Sequence, residues 1–273
     1  MMASITDCVV EGLKYPFNDV KKLLGFGVLF AVLNLLGIAR GAKSIDIVRA
    51  FSKAPGDTMM FKFSQMPQTD IGIMIVLAII SFIVMLFIMG YQYNVVKFSI
   101  DKKDDLPGFN DIAGMLIKGI KYFIVVLAYN IIPAILMIAG VLGINESYGL
   151  ILIFISTVLF IIAYFLLIMA LNNMIAHDEL AKAFDFKEIT GKISNLGWGK
   201  YIGTILFTII VFMIIMVAVG FILSLLTAVL AIAVNQALIL SAIVGVIEGV
   251  IVNSYAGVFY NRVLGSIYRE SIK

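Results

Sequence analysis

The stretch Tyr201–Tyr260 reads YIGTILFTIIVFMIIMVAVGFILSLLTAVLAIAVNQALILSAIVGVIEGVIVNSYAGVFY and carries one charged residue, Glu248. Its 60 residues are about three times the number that a helix needs to cross the apolar core of a bilayer. The stretch therefore has to fold back on itself, and the polar pair Asn235-Gln236 marks the expected turn. This segment alone predicts two transmembrane helices.

Four further apolar runs without a charge precede it. They are Leu23–Ala39, Ile71–Tyr91, Tyr122–Leu142 and Tyr148–Leu171. The whole chain is 62% hydrophobic and 14% charged, whereas roughly a quarter of the residues of a soluble domain are charged. The sequence thus predicts an all-α integral membrane protein with six transmembrane helices, in a single membrane domain covering residues 1–273.

The distribution of Lys and Arg predicts the orientation. If the N-terminus lies inside, 15 of the 20 Lys and Arg residues fall in the inner segments. Because inner loops carry the excess of positive charge, we expect a cell-membrane protein with both termini in the cytoplasm. On this topology, Cys8 should resist a membrane-impermeant thiol reagent applied to intact cells.

A short motif, here called a phrase, recurs before the first, third and fifth predicted helices. Its three copies are FNDV at Phe17–Val20, FNDI at Phe109–Ile112 and FKEI at Phe186–Ile189. The second, fourth and sixth helices also end alike, at Asn94, Asn173 and Asn261. Each unit would then be one helix out and one helix back. This pattern predicts three helical hairpins, with candidate internal repeats at residues 16–98, 108–177 and 185–265. The alternative to a repeat is that any helix starting at the membrane interface favours an aromatic residue, a cap and an acid.

Helix caps and short amphipathic helices are expected at these phrases. Asn18, Asn110 and Asp185 are good N-cap residues. Apolar residues at helical spacing follow, from Ile112 to Ile120 and from Phe186 to Leu196, and Gly197 is expected to end the second of these helices. We expect both segments to lie in the membrane interface and then to turn into the third and fifth transmembrane helices.

Glu248 is the strongest candidate for a functional residue, because a carboxylate inside the membrane is costly. It would relay protons or bind a cation, or else it is a neutral acid that hydrogen-bonds a neighbouring helix. No basic residue is expected at the same depth. The candidate polar partners are Asn34, Asn130, Ser224, Thr227 and, on the same helix, Asn253.

Two helices have features that affect packing. Gly245, Gly249 and Gly257 recur on the last helix at multiples of four, which lets another helix approach closely. Pro133 lies inside the third helix and should kink or open it. Broken helices line transporter sites, but proline kinks also occur without any transport role.

Catalytic chemistry is not indicated. The chain has one histidine, His177, and no nucleophile–base pair or metal-ligand spacing was found, so we expect no enzyme, no metal and no cofactor. Basic clusters with interleaved aromatic residues are absent, which argues against nucleic acid. Six lysines flank the starts of the odd-numbered helices and would attract anionic lipid headgroups: Lys21, Lys22, Lys118, Lys121, Lys192 and Lys200.

Three segments resemble a known family. Leu13–Leu24 resembles the opening, Leu106–Asp111 with Lys118–Lys121 the central block, and Tyr260–Arg269 the ending of domain of unknown function 4013. That family is common in archaea. The resemblance implies a multi-pass membrane protein, and it supplies no activity and no catalytic residues.

These observations lead to two hypotheses. The first is a non-enzymatic membrane component that binds membrane lipids or protein partners. The alternative is a small permease or ion-coupled carrier that uses Glu248.

Overall fold

The fold is seen in a computed structural model, which describes residues 5–53, 68–144, 146–233 and 236–272. These residues are mostly helical, with a non-helical connection at 101–111, and they include no strand. The helices are α1 Ile5–Lys14, α2 Val20–Lys53, α3 Gln68–Ile100, α4 Ile112–Leu142, α5 Ser147–His177, α6 Phe186–Leu196, α7 Trp198–Ala233, α8 Ala237–Ile247 and α9 Ser254–Ser271. Tyr15–Asp19 and Leu180–Phe184 form short 3-10 helices, and a π-helical stretch, Glu248–Asn253, joins α8 to α9.

The predicted all-α membrane fold is confirmed. In the part of the chain that is described, six helical segments are long and apolar enough to cross a membrane. Large apolar side chains such as Phe154 and Val217 are exposed on them, which suits a surface surrounded by lipid. The long apolar stretch divides as expected, since α7 ends at Ala233 and α8 begins at Ala237. Gln236 is the N-cap of α8, whereas Asn235 lies outside the described residues.

One of the two predicted amphipathic helices is not a separate helix. Residues from Ile112 onward continue without interruption into the third transmembrane helix as α4. No proline precedes Pro133 in this helix to break its hydrogen-bond ladder. The second segment does form its own helix, α6, which ends at Gly197 with a φ of 88° that favours glycine.

The predicted caps are correct only for the third phrase. Asp111, not Asn110, accepts from the amide of Gly114 at 2.8 Å. Asp19, not Asn18, accepts from the amide of Lys22 at 3.0 Å. Asn18 instead donates its amide to the carbonyl of Asp104. A carboxylate suits the positive end of the helix dipole better than an amide does.

The chain forms two compact units. The first unit comprises Met1–Lys22, Met89–Ile214 and Ala256–Lys273, and the second comprises Leu23–Ile88 and Ile215–Tyr255. A buried core of the first unit contains Tyr93, Val96, Val125, Leu171, Met174, Ile175 and Ala183. Its helices pack closely: a Cβ added at Gly90 would lie within 2.7 Å of the Met115 carbonyl carbon.

The second unit is built around an antiparallel contact between α2 and the last transmembrane segment. A Cβ added at Gly249 would lie 2.4 Å from the backbone nitrogen of Ala31, and one at Gly27 2.4 Å from the carbonyl oxygen of Val250. Gly245 lies beside Asn34. The two backbones therefore meet where there is no side chain to separate them.

Candidate functional site

A cavity of about 660 Å³ lies within the second unit, between residues of α2, α7 and the segment from α8 to Glu248. This volume is typical of small-molecule sites. Leucine, isoleucine, valine and glycine form its apolar lining. The polar residues that line it are Asn34, Arg40, Thr227, Ser241 and Glu248.

Asn34 fixes the geometry of this cavity. Its amide nitrogen donates to the carbonyl of Gly245 at 2.9 Å and so connects α2 to α8. This bond uses the Nδ2 donor and leaves Oδ1 as an acceptor. Gly37 also lines the cavity, and a Cβ added there would meet no atom within 4 Å. The cavity is therefore open beside Gly37.

Arg40 shares this cavity with Glu248, although no basic residue was expected at the depth of Glu248. The apolar run that predicts the first span ends at Ala39, one residue before Arg40. In the structure α2 continues to Lys53, and Arg40 lines the same cavity as Glu248. The sequence held one signal for this longer helix, because no proline occurs between Asn34 and Pro55.

Arg40 and Glu248 are both unpaired among the described residues. The Nε atom of Arg40 is buried and has no hydrogen-bond partner there. The ion pairs found between described residues include neither side chain. Glu248 is also the first residue of the π-helical stretch, a distortion that is frequent at functional sites.

The structure brings some of the predicted partners to Glu248 and not others. Asn34 and Thr227 line the cavity with it. Ser224 instead donates to the carbonyl of Phe221. Asn130 belongs to the first unit and donates to the carbonyl of Val126 on its own helix.

The remaining candidates lie away from this cavity. Asn253 is in the π-helical stretch and does not line it. Gly257 belongs to the first unit, where its carbonyl accepts from Asn261. Helix α4 runs through Pro133, whose carbonyl accepts from Ser156 at 2.6 Å. Pro133 also lines a mainly apolar cavity of about 250 Å³ in the first unit, beside Tyr129.

The first unit holds its charges differently. Glu11 binds two arginines, at 2.7 Å to Arg262 and at 2.6 Å to Arg269. The Arg262 side chain is only 3% exposed, donates to the carbonyl of Lys103 at 2.6 Å and covers the ring of Tyr15. These contacts tie α1 to α9.

A second charged group in the first unit is centred on Glu188. Lys182 and Lys192 each lie 2.7 Å from its carboxylate. Hydrogen bonds from these two lysines lower the pKa of Glu188 to about 2. Lys192 also donates to Asn173 at 2.6 Å and to the hydroxyl of Tyr268.

Several lysines that were expected at the lipid surface bond to the protein itself. Lys22 donates to the carbonyl of Leu106, and Lys118 to Asn94. Lys121 binds Asp178, whose pKa is lowered by hydrogen bonds from the Tyr93 hydroxyl and from Lys121. Together with Lys192, four of the six lysines are engaged in this way.

Comparison with known proteins gives a family but no activity. A family model described as "Protein of unknown function (DUF4013)" matches residues 73–224. An uncharacterized protein of Methanocaldococcus jannaschii, MJ1189, is 27% identical over 289 aligned positions, which cover 96% of this chain and 95% of that protein. No solved structure matches. The family match includes the central block, whereas all residues that line the larger cavity fall outside it.

Proposed function

The chain belongs to the DUF4013 family of proteins of unknown function, and we propose its function from the geometry of the structure. It is a non-enzymatic multi-pass membrane protein that binds a lipid or a small polar partner. The observation that carries this proposal is the cavity of the second unit, lined by both charged and apolar residues. Its polar lining contains one carboxylate and no histidine, cysteine or second acid. Such a set suits binding better than acid–base or nucleophilic chemistry.

The cavity also changes where a lipid would bind. Four of the six lysines that flank the odd-numbered helices donate to acceptors of the protein, so they have fewer donors left for a headgroup. Arg40 keeps a buried donor without a partner among the described residues. We therefore place the candidate anion contact at Arg40 rather than at the lysines.

Two glycines of α2 allow a direct test. Gly37 lines the cavity and Gly41 does not, and a Cβ added at either meets nothing within 4 Å. Gly37→Phe should fill the cavity, and Gly41→Phe is its matched control. The full chain would be purified in a mild detergent and its bound small molecules identified by mass spectrometry. We expect a bound molecule that is retained with Gly41→Phe and lost with Gly37→Phe; equal retention in both variants would contradict the proposal.

The orientation is proposed with both termini in the cytoplasm, on the charge distribution. Labelling of Cys8 cannot test it, because Cys8 is only 5% exposed and would resist the reagent on either side. Exposed residues that are predicted to lie on opposite sides of the membrane are better positions for the labelled cysteine. In a Cys8→Ser background, Glu146→Cys should react with an impermeant reagent in intact cells and Glu179→Cys should not. The reverse result would invert the topology.

A second candidate, the ion-coupled carrier, is favoured by one observation. Glu248 both lines the cavity and begins the π-helical stretch, and irregular helices in membranes accompany ion and substrate sites. In proteoliposomes, proton-coupled uptake that disappears with Glu248→Gln would support a carrier. Uptake that is unchanged by Glu248→Gln would remove the acid from the mechanism.

A further inference from the structure

Opposite charges line the cavity of the second unit without pairing. Arg40 and Glu248 both belong to its lining, and neither side chain makes a hydrogen bond or an ion pair with a described residue. An isolated charge in an apolar setting is costly, and a partner of opposite charge offsets that cost. The cavity therefore presents a cationic group and an anionic group that both lack a partner among the described residues.

The helix register keeps these two groups apart. Gly249 meets Ala31, so Glu248 is level with this part of α2. Arg40 lies nine residues further along α2, which corresponds to about 13 Å of axial rise. The two long side chains cover part of this separation, yet no ion pair between described residues joins them. Both side chains line the cavity of about 660 Å³, which has room for a bound molecule.

The two ends of the cavity differ in hydrogen-bonding chemistry. Arg40 offers a planar set of N–H donors that matches a carboxylate or a phosphate. The lining that the cavity shares with Glu248 offers further acceptors. Besides the carboxylate, Asn34 keeps its Oδ1, and the Thr227 hydroxyl donates to the carbonyl of Leu223 and keeps its lone pairs. An ammonium group, which carries three donors and no acceptor, fits this end.

We propose that this cavity binds a zwitterion, with an anionic carboxylate or phosphate at Arg40 and an ammonium group at Glu248. The inference rests on the proposed binding function and names its ligand class. A molecule of this kind can be the phosphoethanolamine headgroup of a lipid or a free amino-acid-like solute. Both sources present the same pair of groups.

The test uses the full chain in nanodiscs made of phosphatidylcholine. In one arm, phosphatidylethanolamine or phosphatidylglycerol is added to the lipid and its retention is followed by native mass spectrometry. In the other arm, β-alanine, lysine, propionate and propylamine are titrated as free probes by calorimetry. Propionate and propylamine each carry only one of the two charges, so they measure each end of the site separately.

Four variants accompany both arms. Arg40→Gln and Glu248→Gln each remove one charge from the cavity. Arg49→Gln and Glu179→Gln are the matched controls, because both residues are exposed and neither lines the cavity. Thermal unfolding and gel filtration show whether each variant is folded. If Arg40→Gln does not fold, Arg40→Lys replaces it, because lysine keeps the positive charge and lacks the planar set of donors.

The zwitterionic probe should bind about tenfold or more weakly to each cavity variant and equally to the controls, since a charge-assisted hydrogen bond is lost. Selective retention of phosphatidylethanolamine identifies a lipid ligand, and binding of β-alanine or lysine identifies a solute. Binding of propionate or phosphatidylglycerol alone, unaffected by Glu248→Gln, would overturn the zwitterion and leave the binding function standing. Unchanged zwitterion binding in both variants would place its site elsewhere and overturn the inference. If no probe binds and Gly37→Phe changes nothing, both proposals fail.

Discussion

The charged groups of the first unit and the cavity charges of the second unit are held in opposite ways, although the second unit also has a paired lysine, Lys43, 2.8 Å from Asp70. In the first unit, Glu11 is held by two arginines and Glu188 by two lysines. In the second unit, Arg40 and Glu248 line one cavity, and their side chains bond to no described residue. Paired charges fix helix ends in place, whereas unpaired charges beside a cavity are available to bind a ligand. This contrast favours the second unit as the place where function resides.

The most severe way to break this contrast is to remove a paired arginine. Arg262→Met takes one of its two arginine partners from Glu11 and the donor from the carbonyl of Lys103, while Arg269 still holds Glu11. The loss of these charge-assisted bonds of a buried arginine should lower the free energy of unfolding by about 2–4 kcal/mol. Arg40→Met removes no bond to a described residue and should change it by less than about 0.5 kcal/mol. Denaturant unfolding of both variants in one detergent measures the difference, and similar losses would erase the contrast.

A glycine substitution tests the packing that creates the cavity. Gly249→Ala brings a Cβ to 2.4 Å from the backbone of Ala31, so α2 must move away. We expect a loss of about 1–3 kcal/mol, measured by thermal unfolding. Gly220→Ala is the matched control, because a Cβ there meets nothing within 4 Å, and it should be neutral or stabilising by up to about 1 kcal/mol. Equal effects would mean that the close approach of the helices is not required.

The pH dependence of stability tests the paired charges of the first unit. The pKa of Glu188 falls to about 2 in the folded protein, against about 4.3 in an unfolded chain. Its contribution is therefore present above pH 4.3 and is lost as the pH falls through about 2. Because the carboxylate is partly exposed, we expect about 1–2 kcal/mol. Unfolding of the wild type and of Glu188→Gln between pH 6 and pH 2 measures it, and parallel curves would contradict it.

The smallest effect concerns the helix caps of the first unit. Asp111→Ala removes the acceptor of the Gly114 amide and should cost about 1 kcal/mol. Asn110→Ala should cost less than about 0.5 kcal/mol. Thermal unfolding of the two variants separates them. A larger loss from Asn110→Ala would restore the cap that the sequence suggested.

The helices long and apolar enough to cross a membrane could be predicted from the sequence, because uncharged apolar runs of about 20 residues are typical of transmembrane helices. Prediction failed where the outcome depended on what a helix meets. Residues 40–53 carry five charged side chains, yet they continue α2, and Arg40 reaches the cavity only for that reason. Asp19 and Asp111 cap helices beside asparagines that are equally good candidates by type.

Residues distant along the chain were also beyond reach. Glu11, Arg262 and Arg269 are ordinary charges in a sequence, and only the folded chain brings them together. The three candidate repeats and the function of Glu248 stay predictions. For Glu248, the structure adds its neighbours and the cavity that it lines.

The bond between Glu11 and Arg262 joins residues that are 251 positions apart. A ribosome adding 5–20 residues per second needs about 10–50 s to pass from one to the other. During that time the N-terminal helix is made but its arginine partners do not yet exist. The ion pairs between α1 and α9 therefore form only after α9 is made, and a chain that stalls before Arg262 leaves Glu11 without either arginine.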